Sequence, residues 1–143
     1  MSSAYVESYV VDGNELVAIG EASTKIKAVL KMLGISSDLI RRAAIVAYEA
    51  EMNLVIHGGG GSMSLEVGPG SIKILAVDTG PGIPDINKAM TEGFSTASDK
   101  IREMGFGAGM GLPNIKRNSD NFELTSEVGK GTTLKSEILL QKT

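Results

Sequence analysis

The sequence predicts an α+β fold: a two-layer sandwich with helices packed on one face of a mixed, mostly antiparallel sheet. Three observations lead there. The elements run strand, helix, helix, two strands, loop, helix, two strands, which is not the single alternation of a βαβ protein. Two pairs of β-rich segments flank short glycine-containing turns, as antiparallel neighbours do. And 143 residues suffice for one hydrophobic core but not two, so residues 1–143 form a single domain.

Residues 5–11 are rich in β-branched and aromatic side chains and stop at Asp12-Gly13-Asn14, a strand and its turn. A further strand is expected over 16–19. Residues 22–33 place Ile26, Val29, Leu30 and Leu33 at helical spacing, with Gly34 just past the end as a stop. A second helix starts at Ser36 or Ser37, either a good N-cap, has Asp38 in its first turn and runs to His57 before Gly58 to Gly61 end it. Residues 65–67 and 72–77 flank Gly68-Pro69-Gly70 as one hairpin, and 122–128 and 132–140 flank Gly129-Lys130-Gly131 as another. Between them lie a possible short helix over 84–90, a loop over 91–111 crowded with Gly, Ser and Thr, and a helix over 113–118. A loop of that length in a compact domain suggests function.

Composition removes several functions. Fourteen basic residues stand against 17 acidic ones, for a net charge of −3. No segment gathers Lys and Arg into a stripe, so nucleic acid is not an expected partner. The chain has no cysteine and one histidine, His57, which rules out disulfides, thiolate chemistry and a His-rich metal centre. No basic-then-apolar leader and no bilayer-length apolar run is seen, so no membrane association and a cytoplasmic location are expected. Glycine, at 18 of 143 residues, is roughly double its usual share of about 7%.

Chemistry can reside in three places. Glu49 and Asn53 are four apart and share one face of the second helix, whereas Glu51 points nearly opposite. A carboxamide oxygen suits Mg²⁺ and a neighbouring carboxylate suits a general base; a solvated polar face is the alternative. His57, at the helix end, is suited to capping as a cation. The apolar residues 74–77 end on Asp78 and break into Thr79-Gly80-Pro81-Gly82. Its carboxylate can accept an exocyclic amine such as adenine's, with Gly80 and Gly82 allowing backbone to approach a flat ring; a simple Pro-Gly turn is the alternative. Finally, Gly105, Gly107, Gly109 and Gly111 alternate immediately before a helix, so that backbone N–H groups can converge on phosphate, or the run can be a hinge. It fits neither a Rossmann signature nor a P-loop, and Gly129-Lys130-Gly131-Thr132 is not a P-loop either.

In this order, Glu49-x-x-x-Asn53-x-x-x-His57, Asp78-x-Gly80-x-Gly82, the run Gly105 to Gly111, and Gly131-Thr132 resemble the boxes of the GHKL ATPase superfamily. Within it, the chain looks like the small serine/threonine protein kinases of bacterial partner switching, which include anti-sigma factors and stressosome switch kinases. The resemblance implies the Bergerat-type ATP-binding fold, a left-handed βαβ sandwich, with ATP and Mg²⁺ as cofactors. Asn53 would hold Mg²⁺, His57 would belong to the same site, and Asp78 would read adenine with help from Thr132. A lid over about 84–111, including Met110 and ending at Leu112, would close over the phosphates. Glu49 would be the general base for γ-phosphoryl transfer to a Ser or Thr of a small STAS-type antagonist protein. A sigma factor or a downstream phosphatase would be a further partner.

One departure matters. The anti-sigma branch carries an arginine where this chain has Gly107, ahead of Ala108-Gly109-Met110-Gly111. Gly107 and the following Leu112-Pro113 look more like the switch kinases. Within the loop, Lys100 and Arg102 are the cations, and Ser95 and Thr96 the hydroxyls, able to meet phosphate, or they form a solvated loop surface.

Overall fold

Alternation of side chains decides the sheet. A computed structural model of the chain describes residues 5–13, 19–83, 86, 90 and 111–140. Within them five strands, β1 (Tyr5–Asp12), β2 (Gly60–Val67), β3 (Ser71–Val77), β4 (Asn121–Glu127) and β5 (Gly131–Leu139), pair in the order β1-β2-β3-β5-β4. The registers align three buried rows across the central strands: Met63, Ala76 and Leu134; Leu65, Ile74 and Ser136; Val67, Ile72 and Ile138. The intervening residues, such as Lys73 and Lys135, face water.

Three helices, α1 (Glu21–Met32), α2 (Ser37–Ile56) and α3 (Gly111–Asn118), supply the other layer. Ile26 and Leu30 of α1, Val46 and Leu54 of α2, and Ile115 of α3 are almost or wholly buried. Each such side chain contributes roughly 1.5–3 kcal/mol. The central helix, α2, packs on α1, on α3 and on the sheet, and its wholly buried Ala43, Ala47 and Ala50 let those neighbours come close.

The sheet expected to be mixed and mostly antiparallel has, among the described residues, four pairings that are all antiparallel. The reason lies in the connections. Two helices, not one, separate β1 from β2, so the chain reverses an extra time and the neighbouring strands oppose each other. β3 and β4 run in the same direction, but β5 inserts between them. A correction concerns the glycines after α2. Gly60 and Gly61 are not only a helix stop; they open β2 opposite Asp12 and Val11. The expected strand over 16–19, the short helix over 84–90 and the lid over about 84–111 lie largely outside the described residues.

The helix ends are closed by different means. α1 ends in a Schellman motif: Gly34 adopts φ 77°, its N–H donates to Lys31 O, and Ile35 N–H donates to Leu30 O. Its start lacks a side-chain cap of its own because Gly20 occupies that position. Glu51 of α2 supplies it from across the interface. Its carboxylate accepts Ala22 N–H at 3.1 Å and Ser23 N–H at 3.0 Å, although Glu51 is only 2% exposed. A buried carboxylate is tolerated there because two donors and the positive end of a helix dipole meet it.

Arg42 of α2 closes α3 at its other end. Its guanidinium donates twice to Asn118 O, at 3.2 and 3.0 Å, and lies 3.4 Å from Asp120. Asp120 in turn accepts Leu139 N–H at 2.7 Å, so one cation joins α2, the last turn of α3 and the β4–β5 pair.

Replacing the buried cap leaves two N–H groups without an acceptor. Glu51→Ala is expected to lower the unfolding free energy by about 3 kcal/mol, read from urea denaturation, with Glu51→Gln recovering part of it. An unchanged midpoint for Glu51→Ala would show that the cap contributes nothing.

Candidate functional site

The apolar strand β3 delivers Asp78 directly after Val77, and the backbone there is held on both sides. Asp78 N–H donates to Thr132 O at 3.0 Å. The carboxylate oxygen Oδ1 accepts Gly80 N–H at 2.9 Å and Thr132 N–H at 3.2 Å. One oxygen is thereby fixed, while Oδ2, turned towards Gly58, accepts no hydrogen bond from the described residues. A carboxylate with one oxygen anchored and one presented is oriented to accept a donor from outside the chain.

Glycine is required around it. A Cβ at Gly58 would stand 2.7 Å from Asp78 Oδ2, and one at Gly80 would stand 2.7 Å from Gly58 O. Gly82 adopts φ 79° against the backbone of Glu127 and Val128. Gly80 and Gly82, read from sequence as admitting a ligand, already admit close approach of the protein's own backbone. The turn is also tied to the β4–β5 hairpin. Ser126 Oγ accepts Ile83 N–H at 2.7 Å and lies 2.8 Å from Thr132 Oγ1, and Gly129 N–H donates to Pro81 O at 2.9 Å. Thr132 therefore meets Asp78 through its backbone while its hydroxyl turns to Ser126.

The second wall is α2. Glu49, Asn53 and His57 recur every four residues along it, all half-buried, while Glu51 faces α1 as helical spacing requires. Asn53 O accepts both His57 N–H and Gly58 N–H, at 3.0 and 3.2 Å, which joins this wall to Asp78 through Gly58. The Asn53 carboxamide has no hydrogen-bond partner among the described residues. Burial holds the His57 imidazole below its usual range, which opposes the cationic form that the helix end favours.

Glu49 reaches the beginning of α3. A Cβ on Gly111 would stand 3.1 Å from Glu49 Oε2, and Asn114 hydrogen-bonds the Glu49 carboxylate. Asn114 is itself steered by Arg117, which donates to Asn114 Oδ1 at 3.2 Å. Burial pushes the Glu49 pKa up, and the Asn114 bond only partly opposes it. Leu112 is buried in the core, leaving its backbone alone to serve the site.

The fold thus brings together Glu49, Asn53, His57, Asp78, Gly80, Gly82, Gly111 and Thr132. Ser95, Thr96, Lys100, Arg102, Gly105, Gly107, Gly109 and Met110 lie outside the described residues. Sequence reasoning missed Gly58, Asn114 and Ser126 as parts of the site. Asn114 had a visible signal, since it stands in the first turn of the helix that the glycine run opens. Among the described residues no group of three or more acidic or histidine side chains could cage a metal. A single carboxamide suits Mg²⁺, which keeps waters and phosphate oxygens as its other ligands.

A carboxylate oriented at a strand end, a helix wall bearing Glu and Asn, and a glycine-opened helix facing them define a GHKL-type nucleotide-binding domain. Residues 39–142 match the family described as Histidine kinase-, DNA gyrase B-, and HSP90-like ATPase, and the chain belongs to that family. It is 38% identical over 112 residues to the serine/threonine-protein kinase RsbT of Bacillus subtilis, covering 76% of this chain and 78% of that one. It is also 31% identical over 119 residues to the anti-sigma F factor of Geobacillus stearothermophilus, covering 79% and 78%. The mycobacterial sensor histidine kinase MprB shares the fold, with a TM-score of 0.52 at 15% identity over 94% of this chain and 97% of that one. Among the described residues no helix is long and apolar enough to cross a membrane.

The raised pKa of Glu49 has a measurable sign. In the folded chain the protonated form is favoured, so ionised Glu49 opposes folding above its raised pKa and has no such effect below the usual carboxylate range. Glu49→Gln is therefore expected to raise the thermal midpoint at neutral pH, with the gain vanishing on acidification. A midpoint that falls at neutral pH would contradict the desolvation of Glu49.

Proposed function

We propose that this chain is an ATP-dependent serine/threonine protein kinase of bacterial partner switching, whose substrate is a small STAS-type antagonist protein. The observation that carries this reading is Glu49: a half-buried carboxylate with a raised pKa, set against the first turn of α3 and sharing a helix face with Asn53. The similarity to a serine/threonine-protein kinase over most of both chains supports it.

In this reading ATP supplies the phosphoryl group, with Mg²⁺ neutralising its charge. Asp78 Oδ2 accepts the adenine amino group, and its fixed partner oxygen sets the angle. Asn53 offers its amide oxygen to the metal. The first N–H groups of α3 face the phosphates, where a helix start favours negative charge. The hydroxyl oxygen of the substrate bonds to the γ-phosphorus, the bond to the β-phosphate oxygen breaks, ADP departs with that electron pair, and Glu49 takes the hydroxyl proton. Its raised pKa brings it nearer the working pH, which improves a general base. Positioning and charge neutralisation supply most of the rate. A sigma factor or a phosphatase downstream, and a cytoplasmic location, complete the proposal.

Gly107, standing where the anti-sigma branch carries arginine, favours a second reading: ATP controls partner binding without efficient transfer. The two are separated by incubating labelled ATP with the cognate antagonist. A phosphorylated Ser or Thr is expected, lost in Glu49→Gln while nucleotide still binds. Nucleotide binding with no phosphoprotein would leave only the switch. Asn53→Ala is expected to abolish the Mg²⁺ dependence of nucleotide binding. Gly58→Ala, which drives a methyl into the Asp78 carboxylate, is expected to weaken nucleotide binding by roughly ten- to a hundredfold. Unaltered titration curves for both would move the nucleotide elsewhere.

A further inference from the structure

Outside the nucleotide site, the outer surface between α1 and α2 holds a groove of about 550 Å³ that ends at Glu49. Lys27 and Lys31 form one wall, one turn apart on the exposed side of α1. Arg41, Ile45, Tyr48 and Glu49 form a continuous stripe along α2. The chain carries net charge −3, yet among the described residues this lining holds three cations and one carboxylate, Glu49. The ion pair that engages Arg41, with Asp38 at 3.3 Å, is between largely exposed side chains, a class of contact that is weak and readily exchanged. Half-buried Ile45 and partly exposed Tyr48 add an apolar stretch along α2 between Arg41 and Glu49.

We propose that this groove docks an acidic segment of the protein substrate, its carboxylates on Lys27, Lys31 and Arg41 and its hydroxyl-bearing residue at Glu49. The inference rests on the phosphoryl-transfer reading of Glu49 and adds to it the chemistry that selects the substrate. The spacing is specific. Arg41 and Glu49 are two helical turns apart, about 12 Å, which an extended chain spans in about four residues. Acidic side chains therefore belong about four positions from the acceptor Ser or Thr, with an apolar residue between them to meet Ile45 and Tyr48. Complementary charge of this kind selects partners and raises their rate of encounter.

Fluorescein-labelled extended peptides test it directly: one with Ser, an intervening Leu and Glu at the stated spacing, and one with Lys replacing each Glu. The acidic peptide is expected to bind the intact protein more tightly than the basic one, and less so as salt rises. The triple variant Lys27→Glu, Lys31→Glu, Arg41→Glu is expected to lose at least roughly tenfold for the acidic peptide and to gain for the basic one. Its affinity for a fluorescent ATP analogue should not change. The gain for the basic peptide and the retained nucleotide affinity come only from a folded variant. Equal or absent binding of the two peptides, or indifference to charge reversal, overturns the docking site. Charge-dependent binding without transfer of labelled phosphate from ATP would uphold the groove and reject the kinase. Phosphorylation of the acidic peptide at the same rate by the reversed variant would do the opposite.

Discussion

The two-turn separation of Arg42 and Glu49 on α2 is matched to the length of α3, and the site depends on that match. Seven residues of α2 rise about 10 Å, and the eight residues of α3 about 12 Å. The guanidinium meets the carbonyl end of α3 and the carboxylate meets its amide end. Arg42 lies where the helix dipole favours a cation, and the Glu49 side chain packs against Gly111 at the other end, so α3 is held antiparallel to α2 and in one register. Gly111, where the described chain resumes after residue 90, is thereby fixed against Glu49. A group proposed to move a proton also helps locate the helix that faces the phosphates.

Asp78 is fixed by a different economy. Its backbone and Oδ1 are consumed by Thr132 and Gly80, and the absence of side chains at Gly58 and Gly80 leaves room for the carboxylate. Ser126 and Gly129 fasten the turn to the last hairpin. Three separate segments, 58–61, 78–83 and 126–132, close on one another through contacts that a Cβ at Gly58, Gly61, Gly80, Gly82 or Gly131 would prevent.

Much of this was legible in the residues themselves. Apolar spacing over 22–33 and the stop at Gly34 located α1 to within a residue at each end, and the turn glycines located both hairpins. The four-residue interval separated Glu49 from Glu51 without coordinates. What stayed hidden depends on which elements meet. Glu51 as a cap requires knowing that α1 begins beside the middle of α2; Gly58 as a clearance for Asp78 requires the end of α2 to abut β3. That β5 inserts between β3 and β4 is a placement set by tertiary packing. Helix position alone favours a cation at His57, and the burial that opposes it is visible only in the fold.

The cap donated by Glu51 also orders the events of folding. The first turn of α1 finds its acceptor 28 and 29 residues later in the chain, and among the described residues β1 finds its partner strand at Gly60–Val67. In a growing chain neither β1 nor the first turn of α1 has these partners until α2 and β2 have been made. β1, whose Val6 and Val10 stay uncovered even in the finished fold, is therefore apolar surface that a chaperone can meet before β2 arrives.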